Sequence, residues 1–219
     1  MSGFRPTIAA ALSLTGLLVV SAALSLPLTG RAVAQSAIAA QLAKPVSLPD
    51  IAIGSAKARV TIIEYASMSC PHCAAFGENV FPMLRSRYID TGKVRFVFRE
   101  FPLDITAAAS SMLARCIGND DPEKYLAVVA TLFKQLDRLM AQTKDTLTLV
   151  GKLNGMSEQE LESCEKDQTL LDKLAADQRY ALQTLKVVST PTFFVNGQKL
   201  QGAMSFEELE AIIKPMLKR

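Results

Sequence analysis

One histidine, His72, is all that 219 residues supply. A zinc site needs four ligands, usually as two Cys or His pairs. Neither Cys116 nor Cys164 has the Cys-x-x-Cys spacing that would complete such a set with Cys70 and Cys73. No metal and no cofactor are expected. The chain also lacks a block of Lys or Arg and a ladder of aromatic residues, and aromatics are 6% of the total. A nucleic-acid partner would require a concentrated basic face, so that class is excluded. No repeat of 20–50 residues and no low-complexity tract is visible, which sets aside solenoids and disordered linkers.

Charge is missing in one stretch above all. Ile8 to Leu28 carries none, Arg5 precedes it, and Ala32-Val33-Ala34 follows. A basic start, an apolar run and an Ala-x-Ala site read as a signal peptide over residues 1–34. The run is long enough that an uncleaved inner-membrane anchor is the alternative. Either arrangement delivers the remainder outside the cytoplasm, into the periplasm. Without residues 1–34 the balance is 22 basic against 21 acidic side chains.

Residues 35–58 are weakly periodic and read as a leader on the edge of the domain. Val60 to Tyr65 is β-branched and aromatic, as a buried strand is. Cys70-Pro71-His72-Cys73 then opens a helical pattern running to about Tyr88, with Pro71 at the first helical position. Val94 to Phe98 reads as a second buried strand. Helical signals fill residues 105–187, among them Asp121-Pro122 and the capping-box spacing Ser157-x-x-Glu160. Thr192 to Val195, the hairpin signal Asn196-Gly197 and Lys199 to Gln201 restore strands. A last helix opens at Ser205-x-x-Glu208, with Met204 placed to staple onto Leu209 and Pro215 expected to bend or end its final turn. The expected fold is α/β: a thioredoxin-like arrangement with an all-helical domain inserted between its βαβ and ββα halves. Its first half is 59–104, the insertion 105–187, and the second half 188–219.

Four cysteines is an even number, as expected where disulfides persist. They form one close pair and one distant pair. Cys70 falls at a helix N-cap, where free N–H groups and the dipole favour an anion, so its thiolate is stabilised. Protonated His72 would add to the effect. Stabilising the thiolate stabilises the dithiol form, which makes the disulfide a stronger oxidant. Cys73, one turn on, is expected to be the buried partner. A purely structural Cys70–Cys73 ring is the competing reading, and a weak one, because short rings stabilise little. For Cys116 and Cys164 the even count suggests a structural disulfide worth about 4 kcal/mol. Two separate buried thiols are the alternative.

Glu64-Tyr65-Ala66-Ser67-Met68-Ser69-Cys70-Pro71-His72-Cys73 and Thr190-Pro191-Thr192-Phe193-Phe194-Val195-Asn196-Gly197, in that order around a helical block, resemble the DsbA-like family of disulfide-forming proteins. The resemblance covers roughly residues 46–218. It implies that Cys70 is the exposed nucleophile and that Pro191 is cis against the redox pair and, with Thr190, holds an extended substrate. It also implies that Glu64 lies beneath the pair and assists proton movement. Read without the resemblance, Pro191 only starts a strand and Glu64 only faces outward from one. Thr190 departs from the valine of the best-known members; related isomerases and reductases often carry threonine there. The implied partners are reduced exported proteins as substrates and a membrane quinone-linked protein that reoxidises the pair. A monomer is expected, because residues 35–58 are too short for a dimerisation domain. The function expected is introduction of disulfides into exported proteins. A disulfide isomerase or reductase is the alternative, and a non-catalytic binding or chaperone module is the reading from another class.

Overall fold

The computed structural model describes residues 1, 3, 37–44 and 47–218. The signal peptide or anchor expected over residues 1–34 therefore lies outside the described residues, apart from positions 1 and 3. Among the described residues no helix is long and apolar enough to cross a membrane.

Five strands form one sheet in the order β1-β3-β2-β4-β5. They are β1 (Ile51–Ile53), β2 (Val60–Ala66), β3 (Val94–Glu100), β4 (Thr192–Val195) and β5 (Gln198–Gln201). β2 and β3 are parallel, and every other pairing is antiparallel. A parallel pair needs a crossover, and the chain supplies it through α2 (Pro71–Asn79) and α3 (Phe81–Leu84) followed by a π-turn at Arg85–Ile89. The sequence pattern predicted one helix to Tyr88. It breaks at Val80 because Pro82 has no N–H to offer the Glu78 carbonyl.

Helices α4 (Ile105–Gly118), α5 (Pro122–Lys134), α6 (Leu136–Ala141), α7 (Thr143–Leu153), α8 (Glu158–Glu165) and α9 (Gln168–Gln183) separate β3 from β4. Their starts are set by local chemistry. The side chains of Asp104, Asp121, Ser157 and Asp167 each accept from free N–H groups of the first turn. Asn196 and Gly197, both at positive φ, turn β4 into β5, as a tight hairpin requires. α10 (Phe206–Leu217) opens with a complete capping box from Ser205 and Glu208. It also runs on past Pro215 rather than ending there. So close to a helix end, the Ala211 carbonyl that proline leaves unpaired can turn to solvent instead.

Strand alternation divides the core into two layers. Ile62, Phe96, Phe98 and Phe193 pack beneath α2, α5 and α10. Ile63, Tyr65, Val97 and Phe194 pack on the opposite face against Leu42 of α1 (37–42) and Ala181 of α9. The leader is a structural part of the fold, since residues 51–53 add β1 to the edge at β3. Asp177 on α9 accepts from the Ser47 and Leu48 N–H groups at 2.7 and 3.0 Å. The Arg99 guanidinium donates to Asp50, to the Tyr65 hydroxyl and to the Leu42 carbonyl.

Glu100, at the end of β3, is buried where the sheet meets the helices. Arg115 donates to both its oxygens at 2.5 and 2.8 Å, and the Tyr125 hydroxyl adds a third bond at 2.9 Å. Nearby, a disulfide joins Cys116 at the end of α4 to Cys164 on α8, with sulfurs 2.07 Å apart. It packs with Leu48, Met112 and Leu174 in a small apolar cluster of its own.

Candidate redox site

Cys70 is the N-cap of α2, in extended backbone geometry, with Pro71 in the first turn. No side-chain oxygen caps this helix. The sulfur stands where a serine or aspartate oxygen stands on other helices, facing N–H groups that have no carbonyl partner. Both Cys70 and Cys73 are free thiols in this structure. Cys70 is 6% exposed and Cys73 is fully buried, so only the first has any surface toward solvent.

Several groups around the Cys70 sulfur favour its thiolate. The Cys73 thiol contributes most, followed by the Thr190 hydroxyl, which can turn to a thiolate there, and the backbone N–H groups of Cys73 and His72. Burial works against ionisation, but the donors outweigh it and the Cys70 pKa falls to about 5. Cys73 moves the other way. It gives its proton to that hydrogen bond and is deeply desolvated, so it stays a thiol throughout the physiological range. His72 is exposed, and it reaches the sulfur through its main chain.

Thr190 lies against the pair and precedes Pro191 through a cis peptide bond. As a thiol, Cys70 donates to the Thr190 carbonyl at 3.4 Å. The Thr190 hydroxyl is buried and has no hydrogen-bond partner among the described residues. Once Cys70 ionises, the carbonyl has nothing to accept, and the hydroxyl becomes the useful group.

Glu64 lies under the pair, 3% exposed, on the β2 face shared with Ile62. Its register neighbours are Phe98 on β3 and Phe193 on β4. An outward-facing role for this acid is overturned. Burial, and then the nearby Cys70 charge, push its pKa well above the ordinary carboxylate range, so it is held neutral. Its Oε1 has no hydrogen-bond partner among the described residues.

One positioning residue escaped the sequence reading. Ser67 is buried in the loop before Cys70, and its carbonyl accepts from the Cys70 N–H at 3.1 Å. Its hydroxyl lies 3.0 Å from that of Ser69 and accepts from the Leu103 N–H at 3.3 Å, tying the β2–α2 loop to the segment after β3. A hydroxyl three residues before a helix start was the available signal. Among the described residues no cluster of side chains could hold a metal ion.

Comparison with known proteins agrees with this geometry. A family model described as Thioredoxin matches residues 47–215. A Rickettsia bellii protein provisionally named protein-disulfide oxidoreductase is 34% identical over 155 residues, covering 70% of this chain and 59% of its own length. The chain thus spans about three fifths of that relative. Disulfide bond formation protein D of Bacillus subtilis is 26% identical over 172 residues, or 76% of each chain. The crystal structure of Wolbachia pipientis alpha-DsbA1 superposes with a TM-score of 0.74 at 30% identity, over 81% of this chain and 95% of that one. A matched family model over most of the length, and a structural relative covered almost end to end, lead to one conclusion: the chain belongs to the thioredoxin family, in its DsbA-like branch.

Proposed function

We propose that this chain is a periplasmic thiol:disulfide oxidoreductase that introduces disulfides into exported proteins. One observation carries the reading: two sulfurs three residues apart at the start of α2, Cys70 at the N-cap with some surface and Cys73 fully buried, an arrangement that brings the Cys70 pKa down to about 5 and pushes that of Cys73 up. A substrate thiolate attacks Cys70 of the oxidised pair. The Cys70–Cys73 bond breaks, a mixed disulfide forms at Cys70, and Cys73 leaves and takes a proton, for which neutral Glu64 is the source. A second substrate thiolate then attacks the substrate's own sulfur in the mixed disulfide and expels Cys70. Two electrons have passed from the substrate dithiol to the enzyme. At pH 7, about two units above its pKa, the expelled Cys70 is a thiolate in roughly a hundredfold excess over thiol. It is therefore a good leaving group and a poor reductant. Reoxidation falls to a membrane quinone-linked partner, and the protein acts as a monomer.

A disulfide reductase or isomerase is the second reading, favoured by the buried Thr190 hydroxyl, which alters how the thiolate is held. Equilibration with glutathione, read beside the ultraviolet thiolate absorbance of Cys70, separates the two. An oxidase gives an absorbance midpoint near pH 5. Its potential lies far above thioredoxin's value of about −270 mV. An ordinary thiol midpoint, or a potential at thioredoxin's level, rejects the oxidase.

A further inference from the structure

Cys73 is fully buried, and any client joined to Cys70 covers the little surface that Cys70 has. A proton must nevertheless reach Cys73 each time the disulfide opens. The Glu64 carboxyl is the nearest store, and it too is buried, so it needs a connection to water.

The fold contains one. A crevice of about 50 Å³ runs between α2 and α5 to Glu64. Its walls are Phe76, Phe96, Phe98 and Phe133, all buried, while Gly77 is half-buried and Ala130 is exposed at its mouth. A water molecule needs about 10–15 Å³ of such space, and two to four polar partners if it is to stay. Glu64 Oε1, unpartnered among the described residues, supplies one such partner. The phenylalanine walls give water no second anchor, so its stay is brief, as a passage requires and a storage site does not.

Gly77 is informative because its backbone does not call for glycine. It lies inside α2, and its φ is outside the left-handed region. Glycine there costs roughly 1 kcal/mol of helix stability relative to alanine. What glycine supplies is clearance: a Cβ at this position would lie 3.0 Å from Phe133 Cδ2, a wall of the crevice.

We propose that this crevice, held open by Gly77, is the proton portal of the redox pair: water entering between α2 and α5 hydrogen-bonds Glu64 and exchanges its proton with solvent. The inference rests on the thiol-exchange reading above. When a substrate thiolate opens the disulfide, the Cys73 sulfur takes the Glu64 proton, and the Glu64 carboxylate recovers one from water in the crevice. Reoxidation returns it by the same route. Client binding and proton exchange thus use different faces of α2.

The test plugs the mouth. Ala130→Phe, at an exposed position, and Gly77→Leu are made in the full chain, with Glu64→Gln as reference. Reduction of the oxidised protein by dithiothreitol is followed in a single turnover, in water and in D2O, reading both the opening of the disulfide and the infrared carbonyl band of protonated Glu64. Both plugs should leave the opening itself unchanged, since Glu64 already holds the proton it gives, and should slow the return of the protonated Glu64 band at least about threefold, whereas Glu64→Gln slows the opening. The glutathione equilibrium and the Cys70 absorbance midpoint should not move, because a route changes rates and leaves end states alone. An unchanged return of that band in both plugs beside a slow Glu64→Gln overturns the portal and leaves the oxidoreductase reading intact. A plug that shifts the potential along with the rate also counts against the portal, as a general disturbance of the site. An unaffected Glu64→Gln removes the proton role of Glu64 and the portal together. Absence of exchange in the parent protein strikes the functional reading itself.

Discussion

Two buried glutamates on neighbouring strands live under opposite rules. Glu100 on β3 has Arg115 on both oxygens and the Tyr125 hydroxyl as well. Glu64 on β2 has an oxygen with no partner and is held neutral. The cysteines repeat the contrast: beside Glu100, Cys116 and Cys164 are bonded to each other, whereas above Glu64 the sulfurs are free. Among the described residues, the buried side-chain oxygens without a hydrogen bond are Glu64 Oε1 and Thr190 Oγ1, and both belong to the redox end. Unsatisfied buried polar atoms are destabilising, so natural proteins keep few of them. Here they gather where chemistry is done, and the seam between sheet and helices carries the burden of holding the fold.

That division can be broken or sharpened at four places. Arg115→Leu strands the Glu100 charge in the seam and should cost about 3–5 kcal/mol in urea unfolding, with the Cys70 absorbance midpoint in place. A large shift of that midpoint would show the two regions are not separate. Replacing Cys116 and Cys164 together by Ala opens a loop of 48 residues and should cost about 2–4 kcal/mol by the same measurement. Glu64→Gln should act in the opposite sense. A carboxyl whose folded pKa is raised binds its proton more tightly folded than unfolded, so its effect on stability worsens as pH rises above the ordinary carboxylate range. The variant should therefore gain stability over the parent at pH 8 and much less at pH 4, and equal gains at both would refute a neutral buried acid. Thr190→Val is the smallest change. It removes one of several donors to the Cys70 sulfur, so the absorbance midpoint should rise by about one unit or less. A fall would mean that the hydroxyl opposes the thiolate.

Much of the fold was legible because its signals are local. β2 and β3 announce themselves by β-branched and aromatic runs, the hairpin by Asn196-Gly197, and the helix starts by Asp121, Ser157 and Ser205. β1 escaped because Ile51–Ile53 is too short to show a period, and it is a strand only by leaning on β3. The break at Val80 was marked by Pro82 but masked by continuing apolar residues. At the site, Cys70 and Cys73 were evident from spacing and charge logic. The sequence could not show that Glu100 is paired and Glu64 is not, since their surroundings come from distant segments. The same holds for Thr190, which meets Cys70 across 120 residues of chain.

The hairpin strand β5 has a further consequence. On the proposed function the protein works among open strands seeking a partner, and its own sheet ends in two edges. One edge is β1, three residues long. The other is β5, which reads Gln-Lys-Leu-Gln, is half-exposed, and carries Lys199, whose ammonium folds back onto the Lys186 carbonyl. A brief border on one side and a polar, lysine-bearing one on the other are poor templates for strand addition. A protein acting as proposed could thus handle sticky clients without being recruited into their aggregates.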